Sequence, residues 1–248
     1  MIRLFIVSLI YFYLTACTYV QTTSGQDYLS KYPTQNEYHE RDTFHRNVDD
    51  EVKQVAAIEP QLDFPARIGI AKIMYGKLTS MSYDEANLWF QARETLDSQF
   101  GEFVPVSPLI AEMVAGQKSY SKSLSNVIRK IRLGAARQHL DAVLIYEVYG
   151  KSQHSSNLLS LMDLTIVGAY ISPGQSLEAQ GYAKALLLDV RNGYPYATAE
   201  GFATKEGLST RVGRSARENA LYEKTVLAAT EQLIGSIRQI FVELKQKL

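Results

Sequence analysis

The sequence predicts an α+β fold: a mostly antiparallel sheet of about five to six strands, helices packed on one side, and a long C-terminal helix. Three observations carry this expectation. Short β-type runs alternate with helical periodicity up to residue 140, residues 142–204 switch to period two or to continuous apolar runs, and residues 215–247 return to steps of three and four. The 248 residues, 46% of them apolar, are enough for one domain, or at most two, with a sizeable core.

The N-terminus reads as an export signal. Arg3 precedes an apolar run over residues 4–13, and Leu14-Thr15-Ala16-Cys17 follows. That run is too short to span a bilayer core of about 30 Å, so residues 1–16 read as a signal peptide. Leu14, Thr15 and Ala16 before the only Cys resemble a bacterial lipobox. The resemblance implies recognition by the lipoprotein signal peptidase and lipidation of Cys17, which would attach the mature chain to a membrane. The alternative is a chance Cys closing an uncleaved anchor. Thr18 after the Cys, rather than Asp, points by analogy with enterobacterial sorting to an outer-membrane lipoprotein facing the periplasm.

Residues 18–63, next after Cys17, are polar and lack a sustained apolar period, so residues 17–63 read as a flexible arm. Such a coil reaches roughly 35–40 Å. Its aromatics Tyr19, Tyr28, Tyr32, Tyr38 and Phe44 are many for a spacer, which leaves room for part of it to pack on the domain or meet a partner. A short helix over 48–58 would place Val52 and residues 55–57 on one side.

A single domain is expected over 64–248. Alternation at Ala66, Ile68 and Ile70 predicts a strand over 66–73. Ser82-x-x-Glu85 is a capping box before a helix over 83–98, whose bulky residues Leu88, Trp89, Phe90 and Leu96 should face the core. A short strand over 103–106 precedes Ser107-Pro108, a cap with an N1 proline, and a helix over 109–114. Leu124, Val127, Ile128, Ile131, Ala135 and Leu140 mark a helix over 121–139. Residues 142–149, 158–171, 179–190 and 194–204 read as four consecutive strands, with Asn192-Gly193 as a type I′ hairpin signal. Ser215-x-x-Glu218 is a second capping box, opening a helix whose stripe runs through Leu221, Thr225, Ala228, Ile234, Ile237, Phe241 and Leu244 or Leu248.

Residues 158–174, ending Leu164-Thr165-Ile166-Val167-Gly168-Ala169-Tyr170-Ile171-Ser172-Pro173-Gly174, resemble the central motif of the rhombotarget lipoproteins, a bacterial family of similar length. The likeness extends in outline through Ile68-Gly69-Ile70, Asp141-Ala142-Val143 and Leu187-Leu188-Asp189-Val190. It implies a surface-tethered lipoprotein of unestablished role, from genomes that carry the protease rhombosortase. That protease's substrates end in Gly-Gly, an apolar helix and a basic cluster, whereas Lys245-Gln246-Lys247-Leu248 marks nothing for its cleavage. A looser, fold-level likeness joins the Ile68-Gly69-Ile70 strand and the Asp189-Val190-Arg191-Asn192-Gly193 turn to the periplasmic modules of curli-secretion lipoproteins and of lipoprotein activators of cell-wall synthases.

Composition and motifs narrow the chemistry. With 26 Lys+Arg against 26 Asp+Glu and no basic stripe, nucleic acid is not an expected partner. A single Cys excludes an internal disulfide and Cys-rich zinc sites. No Gly-x-Ser-x-Gly, His-Glu-x-x-His, Walker loop or dinucleotide fingerprint occurs, so neither an enzyme nor a cofactor or metal is expected. His39, Glu40 and His45 share no face, His139 ends a helix, and His154 has no visible partner. Asp141 suits a turn, and Asp163 reads as a strand-end acid. Tyr170, Tyr182, Tyr194 and Tyr196 offer a partner surface, although strand packing explains them equally well.

The expected role is that of an accessory factor binding an envelope protein. A hydrolase or small-ligand receptor with a scattered site is one alternative. Self-assembly through the terminal helix, giving a homo-oligomer, is another. A deep polar pocket with convergent carboxylates would favour the hydrolase or receptor, and a shallow Tyr-rich or apolar patch the binding module.

Overall fold

The structure, a computed structural model, describes residues 18–31, 43–116, 123–156, 175–210 and 214–248. The signal peptide, Cys17 and the expected strand over 158–171 lie outside them. In chain order the elements are β1 (Thr18–Val20), α1 (Gly25–Ser30), α2 (Thr43–Ala56), β2 (Ala66–Met74), β3 (Lys77–Thr79), α3 (Tyr83–Phe100), β4 (Gly101–Pro105), α4 (Pro108–Ala115), α5 (Leu124–Arg137), β5 (Ala142–Ser156), β6 (Gln175–Asp189), β7 (Pro195–Ser209) and α6 (Arg214–Lys247). No helix among the described residues is long and apolar enough to cross a membrane.

The fold is α+β. Among the described residues, seven strands form one sheet in the order β1-β7-β6-β5-β2-β3, with β4 beside the first half of β2. β2 runs parallel to β4 and β5, and the other pairings are antiparallel. β5 pairs directly with β6 from Ala142↔Asp189 to Ser156↔Gln175.

Helices cover both faces of the sheet, where one covered side was expected. β2, β5 and β6 carry apolar residues at consecutive positions, so both pleat faces must be buried. Ile68, Ile70, Leu144, Tyr146 and Leu187 pack with α3 and α6. Ala71, Ile73, Val143, Ile145 and Leu188 pack with Val127, Ile131 and Ala135 of α5.

The start signals of α3 and α4 act as the sequence suggests. Glu85 Oε2 accepts from Ser82 N at 2.9 Å while Ser82 Oγ accepts from Glu85 N at 3.3 Å, closing the capping box of α3. Trp89 and Leu96 are buried, but Phe90 is 63% exposed. Ser107 Oγ accepts from Ile110 N ahead of α4. α6 starts one residue before Ser215, and Glu218 accepts from Ser152 Oγ of β5 at 2.8 Å.

The type I′ turn is not at Asn192-Gly193. Of that pair only Gly193 has positive φ, so a longer turn joins β6 to β7, with Gly193 N donating to Asp189 O. The two-residue hairpin that the sequence reading missed lies at Tyr75 (φ 52°) and Gly76 (φ 69°), between the paired Met74 and Lys77.

The terminal helix lies directly on the strands. A Cβ at Gly201 would meet Ala229 O at 2.4 Å, and one at Gly181 would meet Thr225 O at 2.6 Å, so glycine at both positions lets helix and sheet approach. The apolar stripe is spent on this contact: Thr225, Ala229, Leu233, Ile237, Ile240, Phe241 and Leu244 are all buried. Of the remaining stripe residues, Leu221 and Ala228 are half-buried and Leu248 is 46% exposed.

The expected flexible arm also differs. β1 pairs with β7 from Thr18↔Ala199 to Val20↔Ala197, making the arm's first described residues an edge strand. Leu62 is 2% exposed and belongs to the main core.

Candidate functional site

The tyrosines proposed as a partner surface separate into two sets. Tyr194 and Tyr196 are buried and clamp the arm to the β6–β7 turn. The centre of the clamp is Asp189, wholly buried at the end of β6, whose carboxylate accepts from Arg191 N at 2.8 Å, Asn192 N at 3.3 Å and Tyr196 Oη at 2.9 Å. Tyr196 Oη accepts in turn from Gln61 N, Arg191 donates to Gln61 O, Asn192 Nδ2 donates to Glu59 O, and Tyr194 Oη donates to Thr23 O. The Arg191 guanidinium is held above its ordinary range by its bond to Asp189. Burial raises both Tyr194 and Tyr196. The Asp-Val-x-x-Gly segment is therefore an internal fastening, and Tyr194 and Tyr196 just after it bond to the chain's own arm. Alternation along β7 put these residues on one face, but only the path of the arm decides that the face is covered.

Tyr182 is different. It stands opposite Tyr149 on β5 and Phe202 on β7 in the ladder register, on the pleat face away from α6. Its ring stacks on Tyr149 at 5.4 Å and 15°, and meets Phe202 at 5.0 Å and 59°. Tyr149 is 49% exposed and Phe202 41%. Lys184 lies 5.8 Å from the Tyr149 ring and pairs with Glu147 at 3.2 Å. A groove of about 390 Å³, bounded by Leu124, Ile128, Lys184, Leu186 and Glu200, continues along the same face. Three aromatic rings on adjacent strands, edged by charge and open to solvent, offer a rigid surface with little conformational entropy left to lose on contact. Tyr149 and Phe202 were absent from the sequence-based set because strand register alone brings them beside Tyr182. Tyr170 lies outside the described residues.

Two other polar groups are interior. Lys72 Nζ meets Glu85 Oε2 at 2.5 Å; beyond this pair, Glu85 Oε1, Trp89 Nε1 and Tyr146 Oη are buried without a hydrogen-bond partner among the described residues. Burial first, and the Glu85 charge second, hold the Tyr146 phenol well above its usual range. Asp141 accepts from Arg67 N at 2.8 Å and joins β2 to the start of β5, a long-range tie between strands where a local turn role was expected. His139 follows α5 in a left-handed conformation, with φ of 57°. Among the described residues no group of three or more His, Cys, Asp or Glu is placed to hold a metal.

No family model matches the sequence, and no curated protein matches it. Several solved structures are similar in outline. The PelC dodecamer from Paraburkholderia phytofirmans is 14% identical over 73% of this chain and 92% of that one, with a TM-score of 0.33. The C-terminal domain of LpoB from Salmonella enterica is 15% identical over 56% and 82%, with a TM-score of 0.29. Lipoprotein GNA1162 from Neisseria meningitidis is 16% identical over 74% and 100%, with a TM-score of 0.30.

Proposed function

We propose that this protein is a lipid-anchored bacterial envelope protein of the rhombotarget type, held at the periplasmic face of the outer membrane, that works by binding another envelope protein rather than by catalysis. The anchor reading rests on Leu14-Thr15-Ala16-Cys17 behind an apolar run. The binding reading rests on one observation: the stacked and partly exposed Tyr149, Tyr182 and Phe202, a shallow aromatic patch rather than a deep pocket with convergent carboxylates. Aromatic side chains in a rigid setting are the usual energetic centres of protein interfaces.

Photo-crosslinking in living cells tests the binding reading. Benzoylphenylalanine replacing Phe202 or Tyr149 should give one discrete adduct with a second protein, while the same group replacing Tyr75, which is 86% exposed at the β2–β3 turn, should give none. The Lys184→Glu variant, which reverses the charge beside the rings, should weaken the adduct. No adduct from either aromatic position would contradict the assignment.

A further inference from the structure

A second apolar surface lies where the chain enters the fold. Tyr19, Tyr28, Val52 and Val55 are 59%, 45%, 54% and 70% exposed, and all four line one groove of about 840 Å³ between the arm, α2 and the β6–β7 turn. Ile58 and Pro195 extend its wall. On α2, Val52 and Val55 are three residues apart and share a face, and Val48 and Phe44 stand four and eight residues before Val52 in the same helix. Such spacing is that of an amphipathic helix, yet its two described valines face solvent rather than a core.

The position of this patch relative to the anchor suggests what covers it. β1 begins at Thr18, one residue after Cys17, so the sheet starts a single Cα–Cα step of about 3.8 Å from the residue that would carry lipid. The arm that composition made into a 35–40 Å spacer supplies no stand-off, because its described residues fold back onto the domain through Gln61, Glu59 and Thr23. A domain fastened this closely cannot keep the β1 edge away from the headgroups. Tyr19, next in the chain, and the groove it lines are then held at the interface, where Tyr and aliphatic side chains lower their free energy by leaving water.

We infer that the β1–α2 groove is a membrane-contact surface: the domain lies on the bilayer through Tyr19, Tyr28, Val52 and Val55 instead of hanging from a tether. The inference rests on the lipidation of Cys17. Asp50 and Glu51 beside the valines, both exposed, mean that apolar burial drives the contact, so an uncharged lipid surface suffices.

The test uses the full-length lipidated protein reconstituted in phosphatidylcholine vesicles. A lipid-modified Cys17 has no free thiol, so Val55→Cys provides one labelling position, and Met113→Cys, 65% exposed on α4, provides the control. With an environment-sensitive fluorophore on each, lipids brominated near the headgroup should quench the residue 55 label several-fold more than the residue 113 label. Adding Val52→Asp to the labelled chain should remove most of that difference. Equal, weak quenching at the two positions in protein shown to carry fatty acid would overturn the membrane contact and leave the anchor standing. Protein that carries no fatty acid would overturn both.

Discussion

Replacing Phe241 by Ala tests whether the distal half of the terminal helix is scaffold. The ring is wholly buried and sits among Phe103, Phe100 and Phe64, at centroid distances of 5.3, 5.5 and 6.1 Å. Phe→Ala changes in cores cost about 3–5 kcal/mol through lost transfer energy and the cavity left behind. Three aromatic neighbours, each worth about 0.5–1.5 kcal/mol beyond area, put this site at the upper end. A loss of about 5 kcal/mol is a large part of the roughly 5–15 kcal/mol that stabilises a domain, and corresponds to a fall in Tm of about 10–20 °C for a chain of this size. Urea titration and calorimetry of the unlipidated chain beginning at Thr18 measure both. Val242→Ala, one residue on and 43% exposed, is the control and should stay within about 0.5 kcal/mol of the parent. A loss below about 1.5 kcal/mol for Phe241→Ala would refute the packing argument and return this stripe to the surface.

The remaining predictions concern the clamp, the helix seat and the buried phenols. Asp189→Ala strips the buried acceptor from Tyr196 Oη and two backbone amides; it should cost about 3 kcal/mol and raise hydrogen exchange at residues 18–31 before it does so in α3. A uniform rise across the chain would contradict the clamp. Gly201→Val should force α6 off the sheet, since the first added carbon already meets Ala229 O at 2.4 Å; a loss of about 1–3 kcal/mol or more is expected, and an unchanged urea midpoint would contradict that seating. Tyr146, Tyr194 and Tyr196 are all raised by burial, so they stay neutral in the fold and ionise once unfolded. Their contribution is therefore complete below the unfolded value near 10 and is lost as pH climbs above it, so the urea midpoint should fall between about pH 9.5 and 11. Tyr146→Phe removes a hydroxyl without a hydrogen-bond partner among the described residues and should flatten that decline; an equally steep decline would count against the assignment.

How much was legible depended on whether a signal was local. Ser82 and Glu85, Ser107 and Pro108, and the three- and four-residue steps through Val127, Ile131 and Ala135 act within a few residues, and the helices begin and turn as those residues dictate. The alternation at Ala66, Ile68 and Ile70 was equally plain. What failed was non-local. β1 is three residues long and polar at its start, so nothing in its own composition marks it as a strand; it exists because β7 offers an edge and because Tyr194 and Tyr196 fasten Thr23 and Gln61 of the arm beyond it. The two-residue turn at Tyr75-Gly76 has only Gly76 as a signal, whereas Asn192-Gly193 has the stronger motif, but buried Asp189 caps that turn into a longer form. The candidate site was half visible for the same reason. Tyr182 is apparent as an aromatic in an alternating strand, but its stack needs the register that places Tyr149 and Phe202 on either side. Burial of Tyr194 and Tyr196 needs the arm, which composition alone described as a spacer.

The claim on which both the envelope assignment and the membrane contact depend is the lipid on Cys17, and metabolic labelling with an alkyne-bearing palmitate tests it most directly. The wild-type chain should take up label and migrate as a processed form, while Cys17→Ser should accumulate as an unlabelled precursor. Label on the Cys17→Ser chain at the wild-type level, or none on the wild type, would contradict the account.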